Sequence, residues 1–240
     1  MSPPAGGRGK RRVSSPTTGL DLRSFPEFVP AKGTIVYRMH WAANGPWWFS
    51  SDGSQRFDLR RANGTCYVAE RPMGAFLEVA ARFQVIKRAD LGDRRLAEVT
   101  IDRDIKLADY LAPRAASFGV KAEVSAGYPY KTVSQPWARL FWRAGFDGVR
   151  YGAGHHPALS EVSFALFGDT GATAGYGSFS SADQCTTETL TRGLDRDRPV
   201  SRASSPALPR AGSRAQRPCC SRGWLGSGCH GFRCSRCSPP

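Results

Sequence analysis

Gly33-Thr-Ile-Val-Tyr-Arg-Met-His40, Gln55-Arg-Phe57, Gly64-Thr-Cys-Tyr-Val-Ala-Glu70 and Gly74-Ala-Phe-Leu-Glu78 are pieces of one stretch, and their order decides the fold. Thr34, Ile35, Val36 and Tyr37 are β-branched or aromatic, so the first piece reads as a strand that delivers Arg38 at its end. A guanidinium placed there can grip a phosphate. Asn63-Gly64 is a turn signal ahead of a second strand, Thr65 to Ala69, which presents Tyr67. Pro72 suits a first helical turn, and Phe76, Leu77, Val79, Ala80 and Phe83 give an apolar side to a helix that also carries Glu78.

Further along, Leu96 to Ile101 alternates apolar and polar positions as a half-buried strand does. Ile105 to Phe118 reads as one or two helical turns broken at Pro113, and Gly119 to Lys131 as loop. Ser134 is placed to cap a helix with Pro136 near its start, Trp137, Ala138, Leu140, Phe141 and Ala144 on its apolar face, and Gly145 at its close. Gly148 to Tyr151 and Val162 to Phe167 are short strands. The alternation of short strands and helices indicates an α+β domain.

The 240 residues, 40% hydrophobic and 11% aromatic, suit one sizeable domain with tails. The net charge of +14 is uneven: Arg8, Lys10, Arg11 and Arg12 contribute +4, residues 181–240 contribute +6, and residues 13–180 keep only +4. That body suits an anionic small molecule or an acidic protein and does not call for a specific nucleic acid. Cys66 is its one thiol, as in a reducing compartment, and neither a signal peptide nor a membrane span is apparent, so the expected location is cytoplasmic. Residues 1–18 read as a disordered basic arm, residues 19–180 as the folded domain, and residues 181–240 as an Arg-, Cys- and Pro-rich tail that is either disordered or frame-shifted. Removing residues 181–240 is therefore expected to leave the domain intact. Cys229, His230, Cys234 and Cys237 lack a second well-spaced pair in a foldable segment, so no metal site is assigned.

Several signatures are missing. No Gly-x-Gly-x-x-Gly follows a strand, Gly168 to Gly175 has no P-loop lysine, and there is no nucleophile elbow or zinc-binding His-Glu-x-x-His. Trp41 to Ser54 reads as a long loop after the first strand, and Trp41, Trp47 and Trp48 in it either cap the core or wall a pocket.

The four opening pieces, with Leu96 to Ile101, Ser134-Gln-Pro-Trp-Ala138, Ala144-Gly-Phe-Asp-Gly-Val-Arg-Tyr151 and Phe164-Ala-Leu-Phe-Gly168, resemble the RES domain family over residues 33–168. The studied members of that family are NAD-degrading toxins of toxin–antitoxin pairs. The resemblance implies an ADP-ribosyltransferase-like split β-sheet with flanking helices around an NAD cleft. NAD is then substrate and no cofactor is needed. It assigns Glu78 and Arg38 to catalysis, the carboxylate opposing positive charge on the ribosyl centre as the nicotinamide–ribose bond breaks. Arg38, Arg56, Tyr67 and His155 are assigned to NAD binding, with Tyr67 stacking on nicotinamide. Water or phosphate accepts the ADP-ribosyl group. The alternatives are transfer of ADP-ribose to a macromolecule and a non-catalytic binding or interaction module. An antitoxin protein is the implied partner, and a homodimer stays open. One departure stands out: Ala153 occupies the position of the family's serine, and His155, His156 or Ser160 are the neighbours able to replace its polar contact.

Overall fold

The computed structural model describes residues 15–80, 88–121, 124, 129–153, 160–172 and 175–184, all within the unit Met1–Pro199. In chain order these form β1 (Glu27–Phe28), β2 (Ile35–Trp41), β3 (Trp48–Phe49), β4 (Asn63–Ala69), α1 (Pro72–Ala80), α2 (Arg88–Gly92), β5 (Arg94–Ile101) and β6 (Leu107–Asp109). A 3-10 turn at Pro113–Phe118 follows, then α3 (Ser134–Arg143), β7 (Gly148–Gly152), β8 (Val162–Asp169), β9 (Gly171–Ala172) and β10 (Gly177–Gln184). Eight strands make one sheet in the order β1-β6-β7-β8-β4-β2-β5-β10, and β3 pairs with β9 separately. Among the described strands of this sheet, only β6 and β7 run parallel; the other pairings are antiparallel.

The pairing of β2 creates the cleft. On one side β2 pairs with β5 along its full length, from Ile35↔Thr100 to Trp41↔Arg94. On the other it meets β4 in a single pair, Tyr37↔Ala69, while β4 stays zipped to β8 from Asn63↔Asp169 to Ala69↔Ser163. The sheet therefore splits beyond Tyr37, as expected of an α+β domain of ADP-ribosyltransferase-like form.

Strand alternation sorts the core onto two faces. Tyr67 of β4, Ala165 and Phe167 of β8, and Val149 and Tyr151 of β7 pack with Trp137, Ala138 and Phe141 of α3. Cys66, Val68, Phe164 and Leu166 pack with Val36, Val99, Ile101, Trp47 and Phe49 on the opposite face. A third cluster, Met39, Ala69, Ala75, Leu91 and Leu96, joins α1 to β2. The start of α1 lies so close to the end of β4 that a Cβ on Gly74 would stand 2.9 Å from the Ala69 Cβ. This tight turn carries Glu78 back over the split one helical turn later.

Several details depart from the sequence reading. Asn63 and Gly64 belong to β4 itself, β2 runs on past Arg38 to Trp41 because it stays paired with β5, and Trp48–Phe49, read as loop, form β3. Residues 107–109, read as helical, form β6, because their backbone pairs with β7. Val133 holds the N-cap position of α3, and Ser134 is a buried first helical residue, so it is no cap. Phe83 lies outside the described residues.

The last strand, β10, runs across the boundary drawn at residue 180: Ser181↔Glu98 through Gln184↔Arg95 continue the ladder with β5. Ending the chain after Gln184 should leave the cooperative melt unchanged. Ending it after Ser180 removes about 2 kcal/mol of ladder and should lower the melting temperature by roughly 4–8 °C in a circular dichroism melt. Equal melting of the two truncated forms would show that this end of β10 contributes nothing.

Candidate functional site

A cleft of about 400 Å³ opens at the split between β2 and β4. Its walls include Arg38, His40 and Trp41 of β2, Tyr67 of β4, Glu78 of α1, and Asp52, Ser54 and Gln55 of the loop between β3 and β4. The size lies in the range of small-molecule sites.

Arg38 and Glu78 reach this cleft from opposite sides of the sheet. Arg38 shares the strand face of buried Val36, where its Nη1–H donates to the Cys66 sulfur and its Nη2–H donates to the Trp48 carbonyl at 2.7 Å. Glu78 comes from α1, which packs on Tyr37 and Met39 of the other face. The two line one space only because the strands have parted. The Arg38 guanidinium is already tied to β3 and β4, so it arrives rigidly oriented. Cys66 stays a thiol, its pKa raised by burial against the lesser pull of Arg38.

Among the described residues, Arg56 is the cation paired with the Glu78 carboxylate, its Nη1 3.8 Å from Glu78 Oε1, with side-chain exposures of 5% and 10%. The Arg56 guanidinium carbon also lies 5.9 Å from the Tyr130 ring centroid and 5.4 Å from that of Tyr151. The Tyr151 hydroxyl, buried beside Glu78 and Ser163, has its pKa raised first by burial and next by the Glu78 charge, so it remains an O–H. Glu78 thus faces a fixed positive charge and a neutral phenol.

Tyr67 is anchored through its hydroxyl. The Phe57 N–H donates to that oxygen at 2.8 Å, and the hydroxyl donates to Asp58 Oδ1 at 3.0 Å. Asp58 Oδ2 in turn accepts the Gln55 N–H at 3.0 Å, and Gln135 of α3 holds the loop by donating to the carbonyls of Gly53 and Gln55. Burial lifts the Asp58 pKa from 3.8 to about 7, opposed by the hydrogen bonds from Gln55 and Tyr67 and assisted by the nearby Asp52 carboxylate.

That shift has a signed consequence. A carboxyl whose folded pKa lies above its unfolded value contributes stability in full below about pH 4, and the contribution is lost as pH rises to about 7. Asp58→Asn keeps an acceptor for the Tyr67 hydroxyl and carries no titrating proton. Urea titrations at pH 5 and pH 8 should show the wild type losing about 2–3 kcal/mol more than Asp58→Asn over that interval. Parallel losses in the two proteins would refute the assignment.

The cleft thus gathers Arg38, Tyr67 and Glu78, whereas Arg56, assigned from the sequence to NAD binding, does not line it and is linked to it through its 3.8 Å approach to Glu78. His155 and His156 lie outside the described residues, as do the cysteines from Cys185 onward. Ala153 is fully buried, its N–H donating to the Glu161 carbonyl at 2.7 Å, and it does not line the cleft. The three tryptophans divide: Trp47 is core, Trp48 is half-buried on the cleft wall, and Trp41 is an exposed part of that wall. His40, Asp58 and Tyr151 were not read as site residues. Asp58 and Tyr151 do adjoin motif residues, and that adjacency was the available signal. Among the described residues, no helix is long and apolar enough to cross a membrane, and no group of three His, Cys, Asp or Glu side chains is placed to hold a metal ion.

The model of the RES domain family matches residues 35–184. A chain of the crystal structure of the M. tuberculosis MbcT–MbcA toxin–antitoxin complex superposes with a TM-score of 0.56 at 16% identity, covering 70% of this chain and 92% of that one. No curated protein matches by sequence.

Proposed function

The chain belongs to the RES domain family, and from that premise we propose that it is an NAD-consuming enzyme of toxin type. It cleaves the bond between nicotinamide and ribose and passes the ADP-ribosyl group to water or phosphate. The observation that carries this reading is the Glu78 carboxylate, nearly buried on the wall of a cleft that also presents Arg38 and Tyr67.

Departure of neutral nicotinamide leaves positive charge on the ribosyl carbon, and a fixed carboxylate in a partly desolvated cleft stabilises that charge more in the transition state than in the ground state. The Arg56 guanidinium, 3.8 Å from Glu78 Oε1, opposes the carboxylate's charge from the buried side, and the neutral Tyr151 hydroxyl adds no charge of its own. Arg38, held by Cys66 and Trp48, offers its remaining N–H groups to the pyrophosphate. The Tyr67 ring, fixed by Asp58, packs against the nicotinamide. Ala153→Ser restores the family's hydroxyl, and on this reading it raises NAD turnover or affinity; equal or lower turnover with the fold unchanged would show that the polar contact comes from elsewhere.

Incubating the protein with NAD, with and without phosphate, and separating the products tests the proposal. Free nicotinamide with ADP-ribose, or with its phosphate, is the expected result. Labelled protein would mean transfer to a macromolecule, and intact NAD would mean a binding module. By its family and its structural likeness to a chain of a toxin–antitoxin complex, the protein is proposed to be neutralised by an antitoxin protein.

A further inference from the structure

Trp41 is the last residue of β2, and it remains 46% exposed although it forms part of the cleft wall. An indole left open to water beside a cleft is an unused stacking surface. Its position is fixed from behind: Trp41 pairs with Arg94 across β2 and β5, and the Arg94 guanidinium carbon lies 3.4 Å from the Trp41 ring centroid. The arginine covers one part of the indole and holds the ring in place through a cation–π contact. What stays open is flat, aromatic and flanked by positive charge.

The rest of β2 says what kind of molecule lies on that surface. Arg38 stands three residues earlier on the same strand, its Cα about 10 Å away at the usual strand rise; alternation sends the two side chains to opposite strand faces, and both line the cleft because β2 is unpaired with β4 beyond Tyr37. That is the order of the separation between the pyrophosphate and the base of an extended purine nucleotide. Between them lies His40, which also lines the cleft. Its Nδ1 is 2.8 Å from the Trp41 carbonyl, an oxygen that can only accept, so Nδ1 carries the proton. Its Nε2 is therefore an acceptor, buried and without a hydrogen-bond partner. Burial, with Arg38, Arg95 and Arg94 nearby, lowers the His40 pKa, so the ring stays neutral and keeps that acceptor. A hydroxyl or amino donor of a bound nucleotide satisfies it.

We propose that Trp41, backed by Arg94, is the purine subsite of the cleft, stacking the adenine of the substrate while Arg38 holds its phosphates. This rests on the NAD-cleaving reading and deepens it: the site selects a purine dinucleotide over a nicotinamide mononucleotide.

The test uses the full chain with Trp41→Ala and Trp41→Phe, NAD and nicotinamide mononucleotide as substrates, and ADP as a non-reacting probe in calorimetry. Losing one stacked base should weaken ADP binding roughly tenfold in Trp41→Ala. The ratio of kcat/KM for NAD over the mononucleotide should fall by a similar factor, with Trp41→Phe recovering most of both. A melting temperature close to that of the wild type is expected, since the ring is half exposed, and it serves as the folding control. Unchanged ADP affinity in Trp41→Ala, an unchanged substrate ratio, or no ADP binding by the wild type would overturn the subsite. Failure of the catalytic reading looks different: the wild type then releases no nicotinamide from either substrate, while calorimetry still decides whether ADP needs Trp41.

Discussion

Glu78→Gln should reduce NAD turnover by several hundredfold or more, about 3–4 kcal/mol of transition-state stabilisation. The amide has the shape of the carboxylate and can still face Arg56 and Tyr151, but it brings no negative charge to the ribosyl carbon. Since the carboxylate acts on charge that develops only as nicotinamide leaves, kcat should fall and the affinity for ADP should stay near that of the wild type. Glu78→Gln also removes the negative charge 3.8 Å from the buried Arg56 guanidinium, which can cost stability as well as turnover. Turnover must therefore be expressed per mole of folded protein, with the melting temperature measured on the same preparation. Near-normal turnover in well-folded Glu78→Gln would remove Glu78 from the catalytic step.

How far such a site can be read from the chain depends on what kind of force places each part. Thr34 to Tyr37 and Thr65 to Ala69 were legible as strands because β-branched and aromatic side chains favour extended backbone whichever face they occupy, and that preference is written locally. The helix bearing Glu78 was legible for the same reason, with Pro72 marking its start. The strand β10 was not, because Gly177, Ser178 and Ser181 carry no apolar alternation and the strand is held by its backbone ladder to β5. Three-residue β6 escaped because its pairing partner, β7, lies some forty residues away. Within the site, Arg38, Tyr67 and Glu78 could be named from motif order. The partner of Glu78 could not: Arg56 and Glu78 are 22 positions apart on a loop and a helix, and no periodicity links them. Nor could the burial of Asp58 be inferred, since a short polar loop gives no sign that Gln135 of α3 will pin it down.

Arg56 carries the second large expectation. Arg56→Met keeps much of the side chain's length among Tyr130, Tyr151 and Tyr67 but strands the Glu78 carboxylate in a setting where its side chain is only 10% exposed. Removing one partner of such a pair should cost about 3–5 kcal/mol of unfolding free energy. Arg56→Lys restores a charge without the planar fork that lies near the two rings, so its loss should be intermediate. The decisive protein is the double variant Arg56→Met with Glu78→Gln. If the two charges stabilise one another, the second substitution removes the stranded carboxylate, and the double variant should be about 1–3 kcal/mol more stable than the sum of the single losses predicts. Its activity should nevertheless stay as low as that of Glu78→Gln, because restoring the fold does not restore the charge that opposes the ribosyl cation. Strictly additive losses in urea unfolding would mean that the approach of Arg56 to Glu78 carries no interaction energy. Recovered turnover in the double variant would mean that Glu78 serves the fold alone.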